Sequence, residues 1–225
     1  MSETSPAPLR RPWRRLAWLA WAGVAVVAAA VGGLLALQHR SSTRDAIASG
    51  PAAPPVSWPA GARRAPDFRL LDQFGRAVSL SSLRGRPVIV TFIDPLCRNY
   101  CPLEAKQLNE LVRGLPAAKR PAIVAVSVNV YGNARANLLQ DVAKWRLVPE
   151  WRWAVGGNRR LASVWRRYQI GVLVTTKRVA GVTVHEVSHT EAAYLIDGRG
   201  YERALFLWPF QAQDVRAALA RVSAA

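Results

Sequence analysis

Cysteine is almost missing from this chain: 225 residues hold two, Cys97 and Cys101. So few thiols exclude a disulfide framework, and no zinc-finger spacing is present. A chain that avoids stray thiols suits an oxidising compartment. Lysine is scarce as well. Lys106, Lys119, Lys144 and Lys177 are the only ones among 31 basic residues. A genomic bias explains that preference as well as a functional demand does. Internal repeats and long low-complexity segments are absent, which excludes a solenoid. Only 20% of the residues are charged and 51% are hydrophobic, which excludes wholesale disorder. The length suffices for one good core plus a tail, not for two large domains.

Acidic residues are outnumbered, 14 against 31, and the formal net charge is +17. Such an excess invites a nucleic-acid reading. The arrangement argues against one. Six basic residues precede residue 45 and flank an apolar segment. The others are scattered singly or in pairs such as Arg159–Arg160 and Arg166–Arg167. No aromatic RNA-binding motif accompanies them. No nucleic-acid partner is expected; a basic surface could favour an acidic protein or anionic lipid headgroups, but a plain soluble positive surface is the expected reading.

From Leu16 to Leu37 there are 22 residues without a charge. At about 1.5 Å per residue, such a helix spans a hydrocarbon core of about 30 Å. Trp13, Trp18 and Trp21 lie near one end, where interfacial aromatics belong. Arg10, Arg11, Arg14 and Arg15 precede the run, so the positive-inside rule places the N-terminus in the cytoplasm. A cleaved signal peptide is the competing reading, but its apolar region is normally only about 7–15 residues. Either way the remainder is exported. The expected organisation is a cytoplasmic basic tail (1–15), a single transmembrane anchor in the cytoplasmic membrane (16–38), a Pro/Ala-rich linker (39–63) and an extracytoplasmic domain (64–225).

Within that domain, Phe68–Leu71 and Ala77–Leu80 flank a turn and predict a hairpin. Pro87–Ile93 and Ala122–Val128 are continuous β-branched runs, the pattern of strands buried on both faces. Helices are predicted over 102–113, 134–147, 158–168 and 211–222, with a short strand between the second and third. Gln169–Leu173, Ala192–Ile196 and Ala204–Leu207 read as extended. Buried strands alternating with helices predict an α/β fold. It is a thioredoxin-like mixed sheet flanked by helices, with an N-terminal β-hairpin.

Cys97-Arg98-Asn99-Tyr100-Cys101-Pro102 follows the first buried strand and opens a helix. Free N–H groups at a helix start stabilise thiolate, which is both the redox nucleophile and the soft-metal ligand. A purely structural staple across three residues would close a very small loop and stabilise little. A peroxiredoxin motif fails, because Asp94 and Val90 stand where Thr or Ser and Pro are required. Ordinary thioredoxin-like reductases separate their cysteines by two residues and carry a proline before a late strand. Here the gap is three, and no proline lies between Glu150 and Tyr201. His185 and His189 lie close together before the strand Ala192–Ile196. A lone loop histidine is usually solvated. Two thiolates and one imidazole would nevertheless suit copper, and zinc could use them with a fourth ligand such as His185.

These motifs carry a resemblance. Cys97-x-x-x-Cys101-Pro102 after PVIVTFI, followed by His189-Thr190-x-x-x-Tyr194-Leu195, resembles the Sco (SenC-like) family. The similarity covers roughly residues 64–222 and the anchor-and-linker layout. Sco proteins are membrane-anchored, thioredoxin-fold copper chaperones used in building the dinuclear copper site of cytochrome c oxidase. The resemblance implies that Cys97, Cys101 and His189 are copper ligands and Cys97 and Cys101 a redox pair. It implies an apo-oxidase copper subunit as partner. Thiol–disulfide exchange, or copper or redox sensing, would use the same residues. The chain departs from the family pattern in four places. Arg98-Asn99 replace Pro-Asp, Ile93-Asp94-Pro95-Leu96 replace the usual residues before the pair, Asn129 replaces an Asp, and Ser188 replaces an acidic residue.

Overall fold

The computed structural model describes residues 56–223. The basic tail, the apolar span, His39 and the linker as far as residue 55 lie outside the described residues. Among the described residues, no helix is long and apolar enough to cross a membrane.

In chain order, strands β1 (Val56–Ser57), β2 (Arg69–Leu71) and β3 (Ala77–Ser79) precede the central strand β4 (Val88–Ile93). Helix α1 (Tyr100–Arg113), strand β5 (Ala122–Ser127), helix α2 (Arg135–Lys144), strand β6 (Trp151–Ala154) and helix α3 (Asn158–Arg167) follow. Next come β7 (Val172–Val179), β8 (Val182–His189), β9 (Ala192–Ile196), β10 (Glu202–Leu207) and helix α4 (Ala212–Ser223).

Six strands form one mixed sheet in the order β1-β10-β9-β4-β5-β6. β4 pairs in parallel with β5, from Val88↔Ala122 to Ile93↔Ser127, and β5 in parallel with β6. β9 runs antiparallel to β4 on the other side, and β10 antiparallel to β9. Every residue of β4 and β5 is buried. That is why these strands read as unbroken β-branched runs instead of alternating with polar residues. Alternate side chains feed two cores. Ile89 and Ile93 pack with Leu108 of α1, Leu138 of α2 and Val215 and Leu219 of α4. Val88, Val90 and Phe92 pack on the opposite face with Leu161, Val164 and Trp165 of α3 and with Leu70 and Val78 of the β2–β3 hairpin. The expected mixed sheet with helices on both faces and an N-terminal hairpin is therefore present.

Three local expectations change. The folded region begins inside the stretch read as linker. Val56 pairs with Leu205, and the Trp58 N–H donates to the Arg203 carbonyl at 3.0 Å. Helix α1 begins at Tyr100, two residues before Pro102. The proline still lies in the first turn, whose N–H groups have no intrahelical partner, so it removes no bond. Finally, residues 172–189 form a long two-stranded ribbon, β7–β8, where only Gln169–Leu173 was expected to be extended. Its turn is Ala180–Gly181, with φ of 49° and 81°. Two consecutive positive φ angles match the twist of a two-residue hairpin loop, and glycine tolerates one of them without strain.

Candidate functional site

The site forms where β4, α1 and the end of β8 meet. Beyond β4 the chain turns sharply. The Asp94 carboxylate accepts from the Leu96 N–H at 2.7 Å, and the Asp94 carbonyl accepts from the Cys97 N–H at 3.0 Å. Arg98 donates to the carbonyls of Pro95 at 3.2 Å and Cys97 at 2.9 Å. It also lies 3.7 Å from the buried Asp141 of α2. Arg98 thus clamps the loop that the family pattern would stiffen with Pro-Asp.

The two cysteines do not share a helical turn. Cys97 is in the loop, half-buried, and Cys101 is buried in the first turn of α1. The Cys101 N–H donates to the Cys97 sulfur at 3.3 Å. No side chain caps the helix at Asn99, and the sulfur takes that place. A hydrogen bond from the Cys101 thiol lowers the Cys97 pKa to about 6. Burial opposes this shift, and the backbone N–H groups of Cys101 and Asn99 assist it. Cys101 moves the other way, raised by the hydrogen bond it donates to Cys97, by burial and by the nearby Cys97 charge. The pair is therefore split into a half-exposed thiolate and a buried thiol.

His189 is the last residue of β8, not a loop residue. The Thr190 N–H donates to the Gly171 carbonyl at 3.0 Å, and the Gly171 N–H to the Thr190 hydroxyl at 3.1 Å. These bonds close the base of the ribbon and fix the histidine. Its Nδ1 lies 3.1 Å from the Thr190 carbonyl. A carbonyl only accepts, so Nδ1 carries the proton and Nε2 presents a lone pair. Burial lowers the His189 pKa, against the effect of that carbonyl, and so favours the neutral, ligating form.

Ligand atoms of Cys101, His189 and Glu191 all lie within 4.8 Å of one another. Cys97 and His189 line one cavity of about 570 Å³ with Asp94, Glu191 and Trp208. His189 thus lies with Cys101 in the group of ligand atoms and with Cys97 on the cavity wall, and the two cysteines are joined by the Cys101 N–H; Cys97 itself is outside that group. His185 is not with them; it stacks on Tyr131 with ring centroids 3.7 Å apart.

Two carboxylates escaped the sequence reading. Glu191 directly precedes β9, and burial followed by the Cys97 charge raises its pKa to about 7. Glu104 is fully buried in α1 and accepts a hydrogen bond from the Thr91 hydroxyl of β4. Burial raises it to about 8 against that bond, and the charges of Glu191 and Cys97 add to the rise. The available signals were Glu104 on the apolar face of α1, three residues after Cys101, and a charge at Glu191 abutting an apolar strand.

Residues 59–224 match the model of the SCO1/SenC family. The chain belongs to that family. No curated protein sequence matches it. Among solved structures, Bradyrhizobium japonicum ScoI with copper bound is 22% identical with a TM-score of 0.61, over 71% of this chain and 99% of that one. Yeast Sco1 with copper bound is 16% identical with a TM-score of 0.63, over 72% of this chain and 90% of that one. BsSco, described as having a disulfide switch and as a member of the Sco family of cytochrome c oxidase assembly proteins, is 19% identical. Its TM-score is 0.56, over 76% of this chain and 97% of that one. At these identities the likenesses establish the thioredoxin-like Sco fold.

Proposed function

We propose that this chain is a copper chaperone and thiol-redox factor that carries copper as cargo to the dinuclear copper site of cytochrome c oxidase. The observation that carries the reading is that His189 lines one cavity with Cys97 while its ring lies in one group of ligand atoms with Cys101. A thiolate, a second sulfur and a neutral imidazole are the donors that copper favours over harder ions. The lowered pKa values of Cys97 and His189 favour the ligating form of each, whereas the raised Cys101 must lose a proton as the ion enters.

One observation favours a second, enzymatic reading. The opposite pKa shifts of the two cysteines suit thiol–disulfide exchange. The Cys97 thiolate would attack a client disulfide and release one client thiol, forming a mixed disulfide. Cys101, after losing its proton, would attack the Cys97 sulfur and release the second client thiolate. The client gains two electrons, and the chain ends with a Cys97–Cys101 disulfide. Such exchange would prepare the oxidase cysteines to accept metal.

We further propose that residues 16–38 anchor the chain in the cytoplasmic membrane, with the domain on the extracytoplasmic side. The support is the uncharged run with arginines on its N-terminal side.

The two readings separate in one assay. The reduced full chain, loaded with one equivalent of Cu(I), is mixed with the reduced, metal-free copper subunit of the oxidase. Copper should move to the subunit. Retention of all copper by the chain, together with reduction of the subunit's disulfide form by the copper-free chain, would replace the chaperone reading with the oxidoreductase one.

A further inference from the structure

Glu191 belongs to the group of ligand atoms, together with Cys101 and His189, that lie within 4.8 Å of one another. The position is held by its backbone. The Glu191 carbonyl accepts from the Trp208 N–H at 3.1 Å, and Thr190 beside it is bonded to Gly171. The side chain is half-buried and faces the same cavity as Cys97 and His189.

Its charge has no evident counterpart. The chain carries 31 Lys and Arg against 14 Asp and Glu. Among the described residues, none of those cations forms an ion pair with Glu191, and no Lys or Arg lines the cavity. A carboxylate beside a thiolate in a partly desolvated pocket is repelled by it unless a cation neutralises both. Abundant surface arginine leaves this site uncompensated.

We propose that Glu191 is an oxygen donor to the metal, the fourth member of a set with Cys97, Cys101 and His189, and that it is required for divalent ions but dispensable for Cu(I). The proposal rests on the copper-site reading above. Cu(I) is soft and monovalent, and two thiolates with one imidazole satisfy it. A hard carboxylate adds little to that set, and it would leave the ion and its donors with two excess negative charges. A divalent ion prefers a fourth donor and takes up one more of those charges.

The test uses the full chain, reduced and free of oxygen, with Cu(I) and Co(II) as probes. Co(II) does not oxidise thiols, and its visible bands report the number and type of donors. Wild type, Glu191→Gln and Glu191→Ala are compared; the glutamine keeps the shape of the side chain should alanine perturb the loop. Loss of a direct donor should cost at least the roughly tenfold that outer-shell partners are worth, so Glu191→Gln should bind Co(II) at least about tenfold more weakly. Its visible bands should change, while Cu(I) affinity moves by less than about threefold. Unchanged Co(II) affinity and bands in both variants overturn the proposal and leave the copper reading standing. Equal losses for Cu(I) and Co(II) also overturn it. A wild-type chain that binds neither ion overturns both the copper reading and this one.

Discussion

Cys97 and Cys101 have the same chemistry and opposite environments. One is half-exposed with its sulfur accepting hydrogen bonds, and the other is 1% exposed and donates. At pH 7, iodoacetamide should therefore modify Cys97 first and leave Cys101 largely intact, as peptide mapping of the reduced chain would reveal. Equal labelling of both would contradict this division. Glu104 makes a second prediction. Its folded pKa of about 8 lies above the value of 4.5 expected without burial. A carboxyl raised in the folded state leaves stability undiminished below pH 4.5 and removes it progressively as pH rises towards 8. Between those limits the loss is on the order of 4 kcal/mol. Glu104→Gln should flatten this part of the stability–pH curve, so that the variant gains on wild type from pH 5 to pH 8. Parallel denaturation curves across that range would show that burial does not perturb Glu104. The sequence held only a faint signal for each carboxylate, because burial and proximity to a thiol are tertiary facts. Cys97, Cys101 and His189 were legible because each is tied to a local motif.

At the level of elements, the central strands could be read directly, because a strand buried on both faces writes itself as an apolar run. The β7–β8 ribbon could not. Nearly all of β7 is exposed, and β8 is only intermittently half-buried. No core imposes an alternation of polar and apolar residues, and the turn is Ala180–Gly181 instead of the more recognisable Asn-Gly. The ribbon still matters, since His189 is its last residue. Besides its base at Gly171 and Thr190, it is held by the His185–Tyr131 stack, whose rings are nearly parallel at 4°. Tyr131 belongs to the loop beyond β5. In that same loop, a Cβ on Gly132 would come within 3.0 Å of Pro95 and Leu96, just before Cys97. One short segment thus packs against both halves of the site. Tyr131→Ala should raise amide exchange across Val182–His189 by about tenfold while β4 and β5 stay protected. Unchanged exchange in the ribbon would mean that its base alone secures it.

Across the whole molecule, a strongly basic chain gathers acidic groups around its thiols. Asp94 and Glu104 act on the cysteines, and the Cys97 charge acts on Glu191. The contrast separates a positive exterior, suited to an acidic partner or lipid headgroups, from a site suited to a cation. The proposed topology has its own test. Protease added to intact spheroplasts should digest the domain, whereas a protected domain would reverse the orientation and a shortened soluble product would indicate cleavage. The central claim is that two cysteines and His189 bind copper, with the histidine serving metal and not redox exchange. Exchange needs only an attacking and a leaving sulfur, whereas copper needs a third donor. The most direct measurement is Cu(I) stoichiometry and affinity for the reduced full chain, for His189→Ala and for His185→Ala, with the dithiol reduction potential recorded for each. Wild type and His185→Ala should bind one copper with similar affinity. His189→Ala should bind at least about tenfold more weakly at a nearly unchanged potential. Wild-type copper affinity in His189→Ala would contradict the account.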